Sequence, residues 1–208
     1  MRPRSACQWL FSATNEMSNQ WREALPVYRS DALTLREVED ADAASLAQHL
    51  SSEEVTRFIS PPPRTLAALE QWIARARTRR AEGARACFAI VPANRSTAVG
   101  FIQLWLLKRA DDSSVWSLGF VLGREFWGTG IFQEAASAAL AIAFDRLQAA
   151  RVEATCLVEN GRGNRALEKL GAVHTGIAFQ VPDPDGNVGD FKKWEFRKEM
   201  FAPDRPPD

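Results

Sequence analysis

Three strand-like runs stand almost end to end in the middle of the chain: Ala86 to Val91, Ala98 to Leu107 and Val115 to Leu122. Only short turns, Pro92-Ala-Asn94 and Ala110-Asp-Asp-Ser113, separate them, so their natural pairing is an antiparallel meander. A glycine turn, Trp127-Gly-Thr-Gly130, follows at once and opens a helix with Ala136, Leu140, Ala143, Phe144 and Leu147 on one face. An amphipathic helix leaving a meander has the sheet itself as the nearest surface to cover, and this makes one sheet the centre of the fold.

The flanking segments add to that sheet. Leu33 to Val38 alternates apolar and polar as a first strand, and a helix follows over Ala41 to Leu50. Ser51-Ser-Glu-Glu54 reads as a capping box for a short helix carrying Val55, Phe58 and Ile59, stopped by Pro61-Pro-Pro63. Thr65 caps a longer helix with Leu66, Leu69, Trp72, Ile73 and Ala76 at helical spacing; its other face carries Arg75, Arg77, Arg79 and Arg80. Beyond the meander come a strand over Arg151 to Val158, a helix from Asn160 to a left-handed cap at Gly171, and a hairpin of Ala172 to Val181 and Phe191 to Phe201 around Pro182-Asp-Pro-Asp-Gly186. The expected fold class is α/β (α+β), a single domain with a mixed central sheet of about seven strands. Residues 1–25 are expected to be an extension in which Met17 is an alternative start, 26–203 the domain, and 204–208 a tail.

Composition narrows the function classes. Basic and acidic residues balance at 26 each, without the basic excess usual in a protein that grips duplex nucleic acid. The arginine stripe therefore reads as a solvated helix face, with an RNA- or ribosome-binding surface as its rival. Three scattered cysteines (Cys7, Cys87, Cys156) and two histidines (His49, His174) offer neither a disulfide framework nor zinc-ligand spacing. The longest apolar run is too short to span a bilayer, and the N-terminus lacks a secretory apolar core. Free thiols and no targeting segment point to the cytoplasm.

Two glycine turns are candidates for chemistry. In Leu118-Gly-Phe-Val-Leu-Gly-Arg-Glu-Phe-Trp-Gly-Thr-Gly130 a strand runs into paired glycines and then a helix, whose first amides and positive dipole end suit a phosphate. No Gly-Lys-Ser/Thr follows, which excludes a Walker A loop; the alternative is a tight turn without a ligand. Gly161-Arg-Gly-Asn-Arg-Ala166 has the spacing of a dinucleotide fingerprint, yet it lies too near the C-terminus to open such a domain.

Phe126-Trp-Gly-Thr-Gly-Ile131 with Glu134-Ala135 resembles the pyrophosphate-binding signature of GNAT N-acetyltransferases. Asn160-Gly-Arg-Gly-Asn-Arg-Ala-Leu-Glu-Lys-Leu-Gly-Ala172 resembles the second segment of the same superfamily. Leu33 to Asp42, and Gly186 followed by Asp190, are similar to the branch containing ribosomal-protein-alanine N-acetyltransferases. The resemblance spans about residues 26–201. It implies a splayed central strand with helices on both faces of the sheet, and acetyl-CoA as co-substrate without a metal. The backbone of Phe120, Val121 and Leu122 would pair with the pantetheine arm. The amides of Trp127, Gly128, Thr129, Gly130, Ile131 and Phe132 would wrap the pyrophosphate. Asn160 would contact the pantetheine near the thiol, and Arg165 lies one turn further on.

The sequence also departs from that pattern. Ser117 occupies the position where many members carry a glutamate base, Gly163 replaces a serine, bulky Phe132 closes the turn, and the sole tyrosine, Tyr28, lies outside the matching segment. The expected reaction is transfer of acetyl to a primary amine by direct attack in a ternary complex, with Ser117 and Asn160 as the candidate catalytic positions. An α-amino group near pKa 7.7–8.0 needs little help from a base, which favours a peptide or protein N-terminus or a small α-amino compound. The rival is a non-catalytic acyl-CoA-binding module. No nucleic-acid or membrane partner is expected, and the chain is expected to be a monomer or homodimer. Cys156 reads as a buried strand residue rather than a nucleophile. Trp72, Trp105 and Trp116 read as core, with the acceptor groove as the alternative; His174 reads as structural.

Overall fold

The computed structural model describes residues 20–59, 65–110, 113–182 and 188–200. One eight-stranded sheet organises them, in the order β1-β2-β3-β4-β5-β6-β8-β7. Its strands are β1 (Tyr28–Arg29), β2 (Leu33–Glu37), β3 (Arg85–Pro92), β4 (Gly100–Ala110), β5 (Ser113–Leu122), β6 (Ala149–Leu157), β7 (Val173–Pro182) and β8 (Val188–Arg197). The helices are α1 (Ala43–His49), α2 (Glu53–Thr56), α3 (Leu66–Ala81), α4 (Ile131–Asp145) and α5 (Gly161–Lys169). Every neighbouring pair is antiparallel except β5 with β6. That exception follows from connectivity: α4 crosses over the sheet and returns the chain beside β5 in the same direction.

The eighth strand is β1, two residues too short to show a period in the sequence. It comes with a packed lead-in. Trp21 and Leu25, in the segment expected to be an extension, are buried, and Trp21 stands edge-on to Trp116 at 5.7 Å. Tyr28 Oη donates to Glu134 Oε1 at 3.1 Å, tying β1 to the first turn of α4.

Strand β3 is covered on both sides. Ala86, Phe88 and Ile90 face the core built with α4, while Cys87, Ala89 and Val91 face α1 and α3. Alanines at 135, 136, 139 and 143 let α4 lie close against the sheet, and fully buried large side chains such as Phe88 and Ile90 each contribute about 1.5–3 kcal/mol. On the other face α3 buries Leu69, Ile73 and Ala76, whereas Leu66 is exposed. Thr65 caps α3 as expected, its Oγ1 accepting from the Ala68 amide at 3.2 Å. The cap of α2 is displaced by one residue: Ser52 accepts from Val55 N, and Ser51 Oγ instead donates to the Gln48 carbonyl. Three of the stripe's arginines are held by acids, Arg77 by Asp40, Arg79 by Glu82 and Arg80 by Glu37.

Asp42 is wholly buried. Both its oxygens accept from the Arg36 guanidinium, at 2.7 and 2.9 Å, and it also accepts from the amides of Glu39 and Ala98. Four donors satisfy this carboxylate, so its burial is compensated. The C-terminal hairpin ends earlier than expected, at Arg197; its turn, with Gly186, and Phe201 lie outside the described residues.

Candidate functional site

The site begins where the parallel pair ends. β5 pairs with β4 up to Leu122, but its ladder with β6 stops at Ser117–Glu153. From Leu118 onward the β6-facing edge of β5 has no strand partner among the described residues, so backbone groups that a sheet would consume remain available. Beside this fork lies a cleft of about 2140 Å³, larger than the roughly 300–1,000 Å³ of an ordinary small-molecule pocket and so able to admit two reactants. Phe120 to Leu122, Trp127, Gly128, Gly130, Phe132, Asn160 and Arg165 line it; Ser117, Thr129 and Ile131 do not.

The turn between β5 and α4 has the geometry of an anion cradle. Gly128 and Gly130 take φ of +77° and +90°, and a Cβ at either would meet nothing within 4 Å, so the backbone conformation rather than crowding calls for glycine. Gly130 is the residue before α4, and Glu134 N is the first amide bonded back to it. The preceding amides of that first turn have no hydrogen-bond partner among the described residues, as expected at a helix N-terminus. Trp127 braces the turn by donating Nε1–H to the Leu122 carbonyl at 2.8 Å. Phe132 does line the cleft, but its ring lies against Phe120, with centroids 4.4 Å apart.

The opposite wall is the start of α5. Asn160 caps it, Oδ1 accepting from the Gly163 amide at 2.9 Å, while its Nδ2 donates to no group among the described residues. A Cβ on Gly163 would sit 2.7 Å from Asn160 Nδ2 and 2.8 Å from Cys156 Sγ, which accounts for glycine where a serine is usual. Burial pushes the Cys156 thiol up to about 11, which makes it a poor nucleophile at neutral pH. Arg162 stacks on Trp127, 3.5 Å from the ring centroid. Glu54 of α2 bridges Arg162 at 3.4 Å and Arg124 at 2.7 Å, and so ties the start of α5 and the segment after β5 to α2.

Other sequence candidates sit elsewhere. Ser117 is buried on β5 between Trp105 and Glu153. Tyr28 is engaged with Glu134. His174 is exposed on β7 against Trp194, its ring centroid 5.3 Å away. Of the tryptophans, Trp116 is core, Trp72 packs on Phe101 at 4.6 Å, and Trp105 lines the cleft. Sequence reasoning missed Arg162, Glu54 and Arg124, whose pairing depends on segments distant in the chain. It also missed Asn164, on the buried face of α5, which donates to the Leu157 and Asn160 carbonyls and accepts from Trp194 Nε1. Among the described residues no cluster of three His, Cys, Asp or Glu is placed to hold a metal, and no helix is long and apolar enough to cross a membrane.

Comparison with known proteins agrees with this geometry. The Acetyltransferase (GNAT) domain model matches residues 32–173. The chain is 25% identical over 174 residues to p20 of Bacillus licheniformis, described as an uncharacterized N-acetyltransferase, covering 83% of this chain and 97% of that one. A GNAT-family acetyltransferase structure from Bacillus anthracis superposes with a TM-score of 0.70 at 23% identity, over 84% of this chain and 99% of that one. RimL, a ribosomal L7/L12 α-N-protein acetyltransferase solved with coenzyme A, shares the fold with a TM-score of 0.73 at 16% identity, over 84% and 99%. With a matching domain model over most of its length, a sheet that forks beside β5 and a glycine turn leading into α4, the chain belongs to the GNAT family of acetyltransferases.

Proposed function

We propose that the protein moves an acetyl group from acetyl-CoA to a primary amine, a peptide or protein N-terminus or a small α-amino compound, by direct attack in a ternary complex. The observation that carries this reading is the fork: the β5–β6 ladder stops at Ser117–Glu153, and β5 from Leu118 onward lines a cleft large enough for both reactants. The pantetheine arm lies along the free edge of Phe120 to Leu122. The amides from Trp127 to Phe132 receive the pyrophosphate, consistent with the unpaired helix end there. Arg165, exposed on the cleft wall, adds positive charge beside it. RimL, which shares the fold, was solved with coenzyme A.

In the reaction the neutral amine attacks the thioester carbonyl, a C–N bond forms, the C–S bond breaks, and the electron pair leaves on sulfur while the amine nitrogen loses a proton. An amide of the free β5 edge polarises the carbonyl in the manner of an oxyanion hole. Asn160 Nδ2, unused by the cap, donates toward the thiol end of the cofactor. Ser117 brings no carboxylate to its position on the strand, so the site is suited to an amine already partly neutral near pH 7.

Two measurements test this reading. Thiol release from acetyl-CoA with a panel of amines should show turnover; coenzyme A binding without turnover would identify the non-catalytic acyl-CoA module instead. In calorimetry Gly130→Asp should weaken coenzyme A binding by at least tenfold, and Gly130→Asn, with the same backbone strain but no charge, by much less. Equal affinities in folded wild type and Gly130→Asp would remove the turn from the binding site.

A further inference from the structure

Gln103 sits at mid-strand on β4, opposite Gly119 of β5. Its Oε1 is buried, and it accepts no hydrogen bond among the described residues. A buried carbonyl oxygen without a partner is unfavourable unless a bound molecule completes it. Its side chain is also aimed. A Cβ on Gly119 would lie 2.8 Å from the Trp105 ring and 3.3 Å from Gln103 Nε2, so both side chains lie across β5 at that residue. Gly119 is two residues beyond Ser117–Glu153, the last pair before the strands part. The carboxamide therefore stands at the fork, on the sheet face that packs on α1 and α3.

Charge supplies a second, independent observation. Arg85 is level with Trp105 in the β3–β4 pairing, on the same face of the sheet, and lines the cleft with Arg57 and Lys193. None of these three cations has an ion pair among the described residues. The nearby acids are committed: Glu153 to Arg151, Glu195 to Arg197 and Arg151, Glu54 to Arg124 and Arg162. Glu53 stands exposed at the start of α2.

We propose that Gln103 and Arg85 form the acceptor subsite: the Gln103 carboxamide, whose oxygen finds no partner within the sheet, turns into the cleft to receive an N–H of the attacking amine, and Arg85 draws a free carboxylate a few bonds away on the same molecule. The acceptor class is then a short peptide-like amine with a free carboxylate, not the N-terminus of a long chain. A peptide α-amine keeps the low basicity that Ser117 calls for. A carboxylate within reach of Arg85 gains a charge-assisted bond in a partly enclosed site. The inference rests on the acetyl-transfer reading above. Gln103 binds the amine directly.

The test is steady-state kinetics with alanylphenylalanine and alanylphenylalaninamide, two acceptors with the same α-amine that differ in the carboxylate. The wild type should use the acid with a kcat/KM about tenfold or more above the amide, and Arg85→Gln should remove that preference. Gln103→Leu should raise the acceptor KM about tenfold for both, with the acetyl-CoA KM and the Tm not lowered, because it removes an unpaired buried polar atom rather than a structural bond. Equal use of acid and amide by the wild type, an unchanged acceptor KM in Gln103→Leu, or transfer to other amines but not to these overturns the subsite alone. No transfer to any amine overturns the acetyl-transfer reading as well.

Discussion

Asn160 shows how one carboxamide serves two ends: its oxygen caps α5 and its nitrogen is left for the cleft. Asn160→Ala should therefore lose about 0.5–2 kcal/mol of stability from the cap, measured by denaturant unfolding, and in addition lose turnover at temperatures where the variant is fully folded. Full activity in the folded variant would reduce the residue to a cap. Gly163 makes the complementary point. Gly163→Ser should destabilise by roughly 1–3 kcal/mol through overpacking against Cys156 Sγ and the Asn160 amide, and Cys156→Ala in the same chain should recover part of the loss. Both positions were legible in sequence, Asn160 as the start of a helix and Gly163 as a departure. The reason for the departure was not, because Cys156 meets Gly163 only once β6 and α5 are packed together.

Among the elements, the turn that feeds α4 rests on α1. His49 lies behind that turn, its Nδ1 3.0 Å from Glu125 and its ring edge-on to Phe126 at 5.6 Å. Burial lowers the His49 pKa below 6.5, against the pull of Glu125 and with a smaller push from Arg95. A histidine whose folded pKa is depressed binds protons more readily unfolded, so its contribution to stability is present above about pH 6.5 and lost as the pH falls below it. The Tm of the wild type should thus fall on acidification through that range more steeply than that of His49→Gln; parallel curves would show that His49 is not responsible. The elements themselves were largely legible. The meander, α4 and the cap at Thr65 follow from period and punctuation, and the left-handed Gly171, with φ of +86°, ends the α5 segment as read. What stayed hidden was β1, too short for any period, and the bridge from Glu54 to Arg124 and Arg162, which no local pattern encodes.

For the whole molecule, chemistry without a glutamate at position 117 has a kinetic signature. The rate should rise with pH and level off at the pKa of the acceptor amine, and replacing the acceptor by one of different basicity should move the plateau with it. A plateau that stays fixed across acceptors would point to a protein base, with Glu153, level with Ser117 across the β5–β6 pair, the first residue to replace. The glycine turn and Asn160 were readable because a left-handed turn and a helix cap depend on local backbone geometry, which leaves glycines and a capping side chain in the sequence. Gln103 and Arg85 were not, since an oxygen and a cation left without a partner among the described residues are properties of the packed sheet.

The fork also divides the molecule mechanically. Strands β6, β8 and β7 join the other five through a ladder that runs only from Ser114–Ala149 to Ser117–Glu153, assisted by α4 lying over β6. A seam so short predicts that the last three strands open as a unit before the rest, although Val152, Ala154, Trp194 and Phe196 share the core with β3 to β5. Amide hydrogens of β8 and β7 would then exchange with solvent through that subglobal opening, while those of β3 and β4, paired on both sides along most of their length, exchange only when the entire chain unfolds. The break that leaves the edge of β5 open would in this sense also be the joint that parts first.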